Sequence, residues 1–282
     1  MAGGCAMKTK NGQVALIALL VLAVATTVGL AFIARGTTNV ATTRNTEESA
    51  RAFSAAEAGI EEALRPGGFV GNSSEKNYTT TLATVTPGVD APYVFPNKIA
   101  KGDTETVWLA PHDENGKLID SAPYYKKPNI DVCWSSATPA PALVVTLLYK
   151  GADGQYRSAK NVYDPDTSRA TTNKFTALTT SEKSGGCGDG TTTYKKSVLF
   201  TDLAAGINPA VSTLLMLRLR PVYADTQIAV IPADILPDQY TRIESIGRTA
   251  SGVTRKISVT KKYIAPASIF DAAVYSQGSF AQ

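Results

Sequence analysis

A long uncharged stretch near the N-terminus constrains this chain more than any other feature. No charged residue occurs between Lys10 and Arg35, although charged residues make up 18% of the whole chain. An α-helix rises ~1.5 Å per residue, so this stretch is long enough to cross the hydrocarbon core of a membrane. Every other uncharged stretch is shorter, which argues against a multi-span transporter. The sequence therefore predicts one membrane-crossing helix, at about residues 13–34.

The flanks of this stretch predict its orientation. Lys8 and Lys10 precede it and Arg35 follows it, so the positive-inside bias keeps the short N-terminus in the cytoplasm and exports the rest of the chain. A secretory signal peptide has an apolar core of ~7–15 residues, which is shorter than this one. Residues 31–34 are also a poor match to a signal-peptide cleavage site. An uncleaved signal anchor followed by a long stalk helix remains the alternative.

The helical pattern continues well beyond the uncharged stretch. Alanine-rich sequence favours helix, and apolar residues recur at three-to-four-residue spacing or its multiples until Pro66 and two glycines end the pattern. We therefore expect one helix over residues 13–65, roughly 80 Å long. Its first half is apolar all round and its second half is amphipathic. The apolar stripe of the second half, with Phe53, Ile60 and Leu64, is expected to pack on the globular part of the chain.

The remainder of the chain, residues 66–265, is rich in Thr, Ser, Gly, Pro and Tyr and predicts short β-strands. The fold class expected is α+β, with one long N-terminal helix packed on a mainly antiparallel β domain. Residues 266–282 have no strong pattern and are expected to form a tail. A strand with one polar face is expected around Arg218. The strand candidates are 107–109, 117–119, 141–150, 155–163, 197–203, 214–223, 226–231 and a hairpin over 240–264.

Three N-terminal features together resemble type IV pilin-like proteins, and in particular the N-terminal region of PilX-type minor pilins. They are a short basic leader ending at Gly12, the apolar helix that follows, and the closing segment RAFSAAEAGIEEAL (Arg51–Leu64). The resemblance covers about residues 8–65 and implies a pilin-like fold, in which an antiparallel sheet packs on the amphipathic half of the helix. It also implies that prepilin peptidase removes the leader, residues 1–12, and that Gln13 becomes an N-methylated N-terminus.

Two positions depart from the pattern of this family. The first mature residue is usually Phe and is Gln13 here, and the fifth is usually Glu and is Ile17 here. In the family, that Glu is thought to meet the N-terminal amine of a neighbouring subunit during assembly. A buried carboxylate without a partner is costly, so its absence suits a subunit with no amine to meet. Ile17 therefore favours a minor or tip subunit over the major repeating one.

The resemblance implies a minor pilin or pseudopilin of a type IV pilus or type II secretion-like filament, acting at the tip or in initiation. Its partners would be other pilin subunits, the filament assembly machinery, prepilin peptidase and the membrane. It would lie first in the cytoplasmic membrane and later at the cell surface or in an extracellular filament. The alternative is a single-pass, membrane-anchored extracellular binding module, adhesin-like, that does not polymerise. Both Met1 and Met7 are candidate start residues.

The two cysteines of the exported part, Cys133 and Cys187, are expected to form a disulfide, because the compartment is oxidising. The bridge would close a loop of about 55 residues, worth roughly 4 kcal/mol in the chain-entropy model. Two free, buried thiols are the alternative.

The sequence gives no reason to expect an enzyme, a cofactor or a metal site. His112 is the single histidine of the chain and is expected to be exposed on a hairpin, so a catalytic triad built on histidine is not predicted. We name no catalytic residue. The net charge of +4 is small and dispersed, which gives no sign of a nucleic-acid partner.

Overall fold

The computed structural model describes residues 11–65 and 67–267. Helix α1 (Asn11–Leu64) has 54 residues, and antiparallel β-sheets follow it. The expectation of an α+β chain with one long N-terminal helix is therefore confirmed at this level. The leader before residue 11, the predicted helix stop at Pro66 and the tail from residue 268 lie outside the described residues.

Many short strands and two short helices follow α1. Asp166 caps the N-terminus of α2 by accepting a hydrogen bond from the Arg169 backbone N–H, which is the usual role of Asp at that position. In chain order, the elements within the described residues are β1 (Asn72–Ser73), β2 (Tyr78–Val85), β3 (Tyr93–Val94), β4 (Glu105–Trp108), β5 (Asn129–Trp134), β6 (Ala142–Lys150), β7 (Tyr156–Asp164), α2 (Thr167–Asn173), β8 (Thr176–Ala177), a 3₁₀ turn (Ser181–Lys183), β9 (Tyr194–Leu199), α3 (Phe200–Leu203), β10 (Thr213–Val222), β11 (Ile228–Pro232), β12 (Tyr240–Arg248) and β13 (Thr254–Lys262).

The described strands form three sheets. Their strand orders are β1-β2-β12-β13, β4-β10-β6-β7-β8 and β3-β11-β5-β9. The pairings in the second and third sheets are antiparallel, except that β7 and β8 are parallel. In the first sheet β12 and β13 are neighbours, joined by a turn in which the Gly252 N–H donates to the Thr249 carbonyl, so the C-terminal hairpin is confirmed.

The chain divides into two compact units, and each is described by itself. The first consists of Met1–Thr81 and Ile243–Val259, and the second of Leu82–Arg242 and Thr260–Gln282. In the second unit, side chains from the second and third sheets form one hydrophobic cluster, which includes Trp134, Leu147, Leu217 and Ile228. Burial of these side chains is the main source of stability for that unit.

Strand β10 corrects the expectation of a polar face around Arg218. β10 pairs with β4 on one side and with β6 on the other, and side chains on both of its faces are buried. Arg218 is only 2% exposed, and its Nη1 donates to Thr106 Oγ1 at 3.4 Å. The alternation of Leu and Arg suggested a half-exposed strand, but both faces of the strand are covered along most of its length.

Candidate assembly helix and surface cavity

The first part of α1 is exposed along its whole length. Every side chain from Ala15 to Glu47 is exposed, including large apolar ones such as Phe32, at 70%. Ile17, the position that lacks the family's Glu, belongs to this part. The most apolar window has a mean hydropathy of 2.7, and by length and composition the helix could cross a membrane once.

Threonine hydroxyls in this part of α1 bond to the helix itself. Thr26 Oγ1 donates to the Leu22 carbonyl at 3.0 Å, and Thr38 Oγ1 donates to the Ala34 carbonyl at 2.8 Å. Such bonds satisfy the hydroxyl without an external partner. The same pattern occurs at Thr27, Thr37, Thr42, Thr43 and Thr46.

The second part of α1 packs closely on the strands of the first unit. Glycines make this approach possible, because added Cβ atoms would collide with neighbouring atoms. A Cβ on Gly59 would lie 2.7 Å from Thr80 Oγ1, and one on Gly247 would lie 2.6 Å from the Ala56 backbone nitrogen. Ala52 and Ala56 are fully buried, so the contact is made largely by small residues and backbone.

The predicted packing residues are only partly on this buried face. Ile60 is buried, at 7% exposure, whereas Phe53 and Leu64 are 47% and 41% exposed. The buried face runs through positions 52, 56 and 59, because only small side chains fit between helix and sheet. Ala56 belongs to the apolar stripe of the sequence, whereas sequence reasoning missed Ala52 and Gly59 by weighting large apolar side chains. Their helical spacing was the signal that could have identified them.

Polar contacts fix the start of the packed part. Ser251 Oγ donates to Glu48 Oε2 at 2.7 Å, and Arg255 Nε donates to Ser49 Oγ at 2.7 Å. The hydrogen bond from Ser251, followed by one from Thr249, holds the pKa of Glu48 below its ordinary value. The transition from exposed to packed helix therefore falls at residues 48 and 49.

The Cys133–Cys187 disulfide is present in the second unit. Cys133 lies on β5, and Cys187 lies in a loop where Gly186 and Gly188 have positive φ angles of 48° and 74°. Both cysteines are buried and pack on Ala229 of β11. The bridge ties this glycine-containing loop to the third sheet.

The second unit also contains a surface cavity of about 550 Å³. Five charged residues contribute to its wall: Lys98, Asp103, Glu105, Arg218 and Lys262. Lys262 Nζ pairs with Glu105 Oε1 at 2.6 Å. Sequence reasoning missed this site, because its residues come from four separate parts of the chain.

His112 is half-buried, so the expectation of an exposed histidine is wrong. Its ring stacks on Tyr263, with centroids 3.8 Å apart and planes 6° apart, and the Trp108 ring meets it edge-on at 4.4 Å. Burial lowers the pKa of His112, and its Nδ1 is buried without a hydrogen-bond partner among the described residues. Tyr263 directly follows β13 and covers the His112 ring. The residues next to His112 in the sequence give no sign of this distant partner.

Gly12 and Gln13, the predicted cleavage and methylation positions, lie within α1, and their processing stays a prediction. The part of the chain covered by the structure holds no cluster of three or more His, Cys, Asp or Glu side chains that could bind a metal ion. Comparison of the chain with protein-family models, curated proteins and solved structures gives no match.

Proposed function

We propose that this chain is a minor pilin or pseudopilin that enters a type IV pilus or type II secretion-like filament through α1. The observation that carries the proposal is the exposure of α1 from Ala15 to Glu47. A helix that is apolar all round needs lipid or other helices around it. No described residue surrounds this part of α1, and a filament core of side-by-side helices would supply the surroundings it needs.

The continuity of α1 favours a filament subunit over a plain anchor. A membrane span needs ~20 residues, whereas α1 runs unbroken for 54, about 80 Å at ~1.5 Å per residue. The same rod then packs on β-strands of the first unit. A plain anchor needs no rigid connection between the span and the exported part, whereas a subunit in an ordered fibre does.

Ile17 supports a place at the tip or in initiation. Its side chain is exposed on the apolar part of α1, where a carboxylate would have to be buried in lipid or among helices. That burial is costly without a positively charged partner. A subunit with isoleucine here has no group to pair with the N-terminal amine of a neighbour. We therefore assign the chain to a position where that pairing is not needed.

The proposal implies a defined processing step and a defined route. Prepilin peptidase removes residues 1–12 at the cytoplasmic face, and Gln13 becomes the mature N-terminus. The subunit waits in the cytoplasmic membrane with its N-terminus inside and then joins other pilin subunits through the assembly machinery. No cofactor and no catalytic residue take part in this role.

N-terminal mass spectrometry of the chain from its native membrane tests the proposal. We expect a mature chain that begins at methylated Gln13, and we expect Gly12→Val to block its formation. Gly4→Val, a matched change within the same leader, should leave processing unchanged. An intact leader in the unmodified protein would contradict the proposal and favour an uncleaved anchor, and cleavage after Ala34 would indicate a secretory signal.

A second candidate function is a membrane-anchored extracellular binding module that does not polymerise. The cavity of the second unit is the observation that favours it. Sheared filaments separate the two candidates. A subunit should co-purify with the filaments, whereas an anchored module should remain entirely in the membrane fraction.

A further inference from the structure

We infer that the cavity of the second unit binds a neutral oligosaccharide. Its volume of about 550 Å³ lies in the range of protein cavities that hold small organic ligands. Its wall includes residues of the segment 97–106, the buried Arg218 of β10, and residues 262–267 at and after the end of β13. The inference concerns the second unit alone and holds whether or not the chain enters a filament.

The charges around the cavity are mixed, which disfavours a charged ligand. Glu105 and Lys262 pair with each other at 2.6 Å and largely neutralise one another. The fifth charge, Arg218, is only 2% exposed and already donates from Nη1 to Thr106 Oγ1. An anionic ligand would meet the Asp103 carboxylate, and a cationic one would meet the Lys98 ammonium. Each would then place a like charge beside a charged group of the wall, which is unfavourable. A neutral ligand avoids both penalties.

The polar side chains on the wall include those of Tyr93, Lys98 and Asp103. None of them makes a hydrogen bond or ion pair with another described residue. Burial raises the pKa of Tyr93, so its phenol stays protonated and can donate as well as accept. Lys98 only donates and Asp103 only accepts. An apolar ligand would leave these groups unpaired, which is costly, whereas sugar hydroxyls can pair with all three.

Aromatic side chains supply the apolar part of the wall. Tyr263 lines the cavity and is fixed by its stacking on His112 at 3.8 Å. Trp108 also lines it and meets His112 edge-on at 4.4 Å. Aromatic rings offer apolar surface beside a polar tip, which suits a sugar ring with its C–H face and its hydroxyl rim. Donors, acceptors and aromatic surface therefore occur together, as this ligand class requires.

Tryptophan fluorescence can report on occupancy. The chain has two tryptophans; Trp108 lines the cavity, while Trp134 is fully buried in the core. The full-length protein, kept in a detergent without a sugar headgroup, is screened on an array of neutral and charged glycans. Hits are titrated by fluorescence and calorimetry, together with maltotriose, cellotriose, chitotriose and sialyllactose. We expect saturable binding of at least one neutral oligosaccharide and none of sialyllactose.

Variants locate the site. Lys98→Ala and Asp103→Asn should each weaken binding roughly tenfold, the loss expected for a hydrogen bond to a charged group. Glu114→Ala, an exposed position outside the cavity wall, should leave the affinity unchanged, and thermal unfolding checks that all three variants fold. Binding of no neutral glycan on the array overturns the inference. So does binding of charged glycans alone, or binding that neither cavity variant weakens.

Discussion

The two compact units of this protein are stabilised in different ways. The second unit has a core of large side chains from two sheets and a disulfide that ties a loop to one of them. The first unit depends on close contact between a helix and β-strands, made possible by Gly59 and Gly247. It also carries a long helical segment with no buried side chain. The second unit therefore holds its large apolar side chains in a core, whereas the first presents an apolar helix surface that no described residue covers.

Removing the disulfide should change the stability of the second unit more than any of the later substitutions changes either unit. Replacing Cys133 and Cys187 together with Ala should lower the free energy of unfolding of the second unit by about 4 kcal/mol, because the bridge closes a long loop in the unfolded chain. Denaturant unfolding followed by the fluorescence of Trp134, a neighbour of Cys133 in the chain, measures this. Glu114→Ala, an exposed position of the same unit, is the control. An unchanged midpoint in the double variant would contradict the expectation.

Gly247→Val should give the next largest effect, and it acts on the first unit. Valine favours a strand more than glycine does, so any loss reports on the collision with α1. We expect the contact between α1 and the strands to lose about 2 kcal/mol of stability, a value typical of overpacking. Faster hydrogen exchange of the amides in residues 48–64 measures this loss.

Gly36→Val is the matched control for that substitution. A Cβ at Gly36 meets nothing within 4 Å, so the change should alter local stability by less than about 0.5 kcal/mol. Equal effects of the two substitutions on hydrogen exchange would remove the distinction between the packed and exposed parts of α1.

His112 should give the smallest effect, a pH dependence confined to the second unit. Burial lowers its pKa, while Asp113 opposes this more weakly. The unfolded state therefore binds the proton first, and stability should fall as the pH drops below about 6.5, the ordinary pKa of histidine. One proton limits the slope to about 1.4 kcal/mol per pH unit. Thermal unfolding between pH 5 and 7.5 measures it, and a slope that persists in His112→Phe would refute the assignment.

Features encoded by neighbouring residues could be predicted from the sequence. Helix α1 followed from an uncharged stretch and an alanine-rich continuation, and the hairpin of β12 and β13 followed from alternation around Gly252. The Cys133–Cys187 bridge was also predicted, because few cysteines were available to pair. In each case composition or local pattern carried enough information.

Features that depend on distant partners were missed. Arg218 is buried because both faces of β10 are covered, and His112 is covered by Tyr263 from far along the chain. The buried face of α1 was misplaced toward Phe53 and Leu64, because hydrophobicity does not reveal where a sheet approaches closely enough to require glycine. The cavity could not be predicted at all, since its wall is assembled from separate segments.

The threonines of α1 have a consequence for how deeply the helix can sit in an apolar phase. Their hydroxyls are satisfied by carbonyls of the same helix, so moving them between water and lipid breaks no hydrogen bond. Between residues 11 and 46 the charged residues are Arg35 and Arg44, which lie about 13 Å apart along the axis at ~1.5 Å per residue. The threonine hydroxyls therefore add no hydrogen-bond cost to burial of the helix in an apolar phase, and these two arginines are the charges that limit how far such burial can extend.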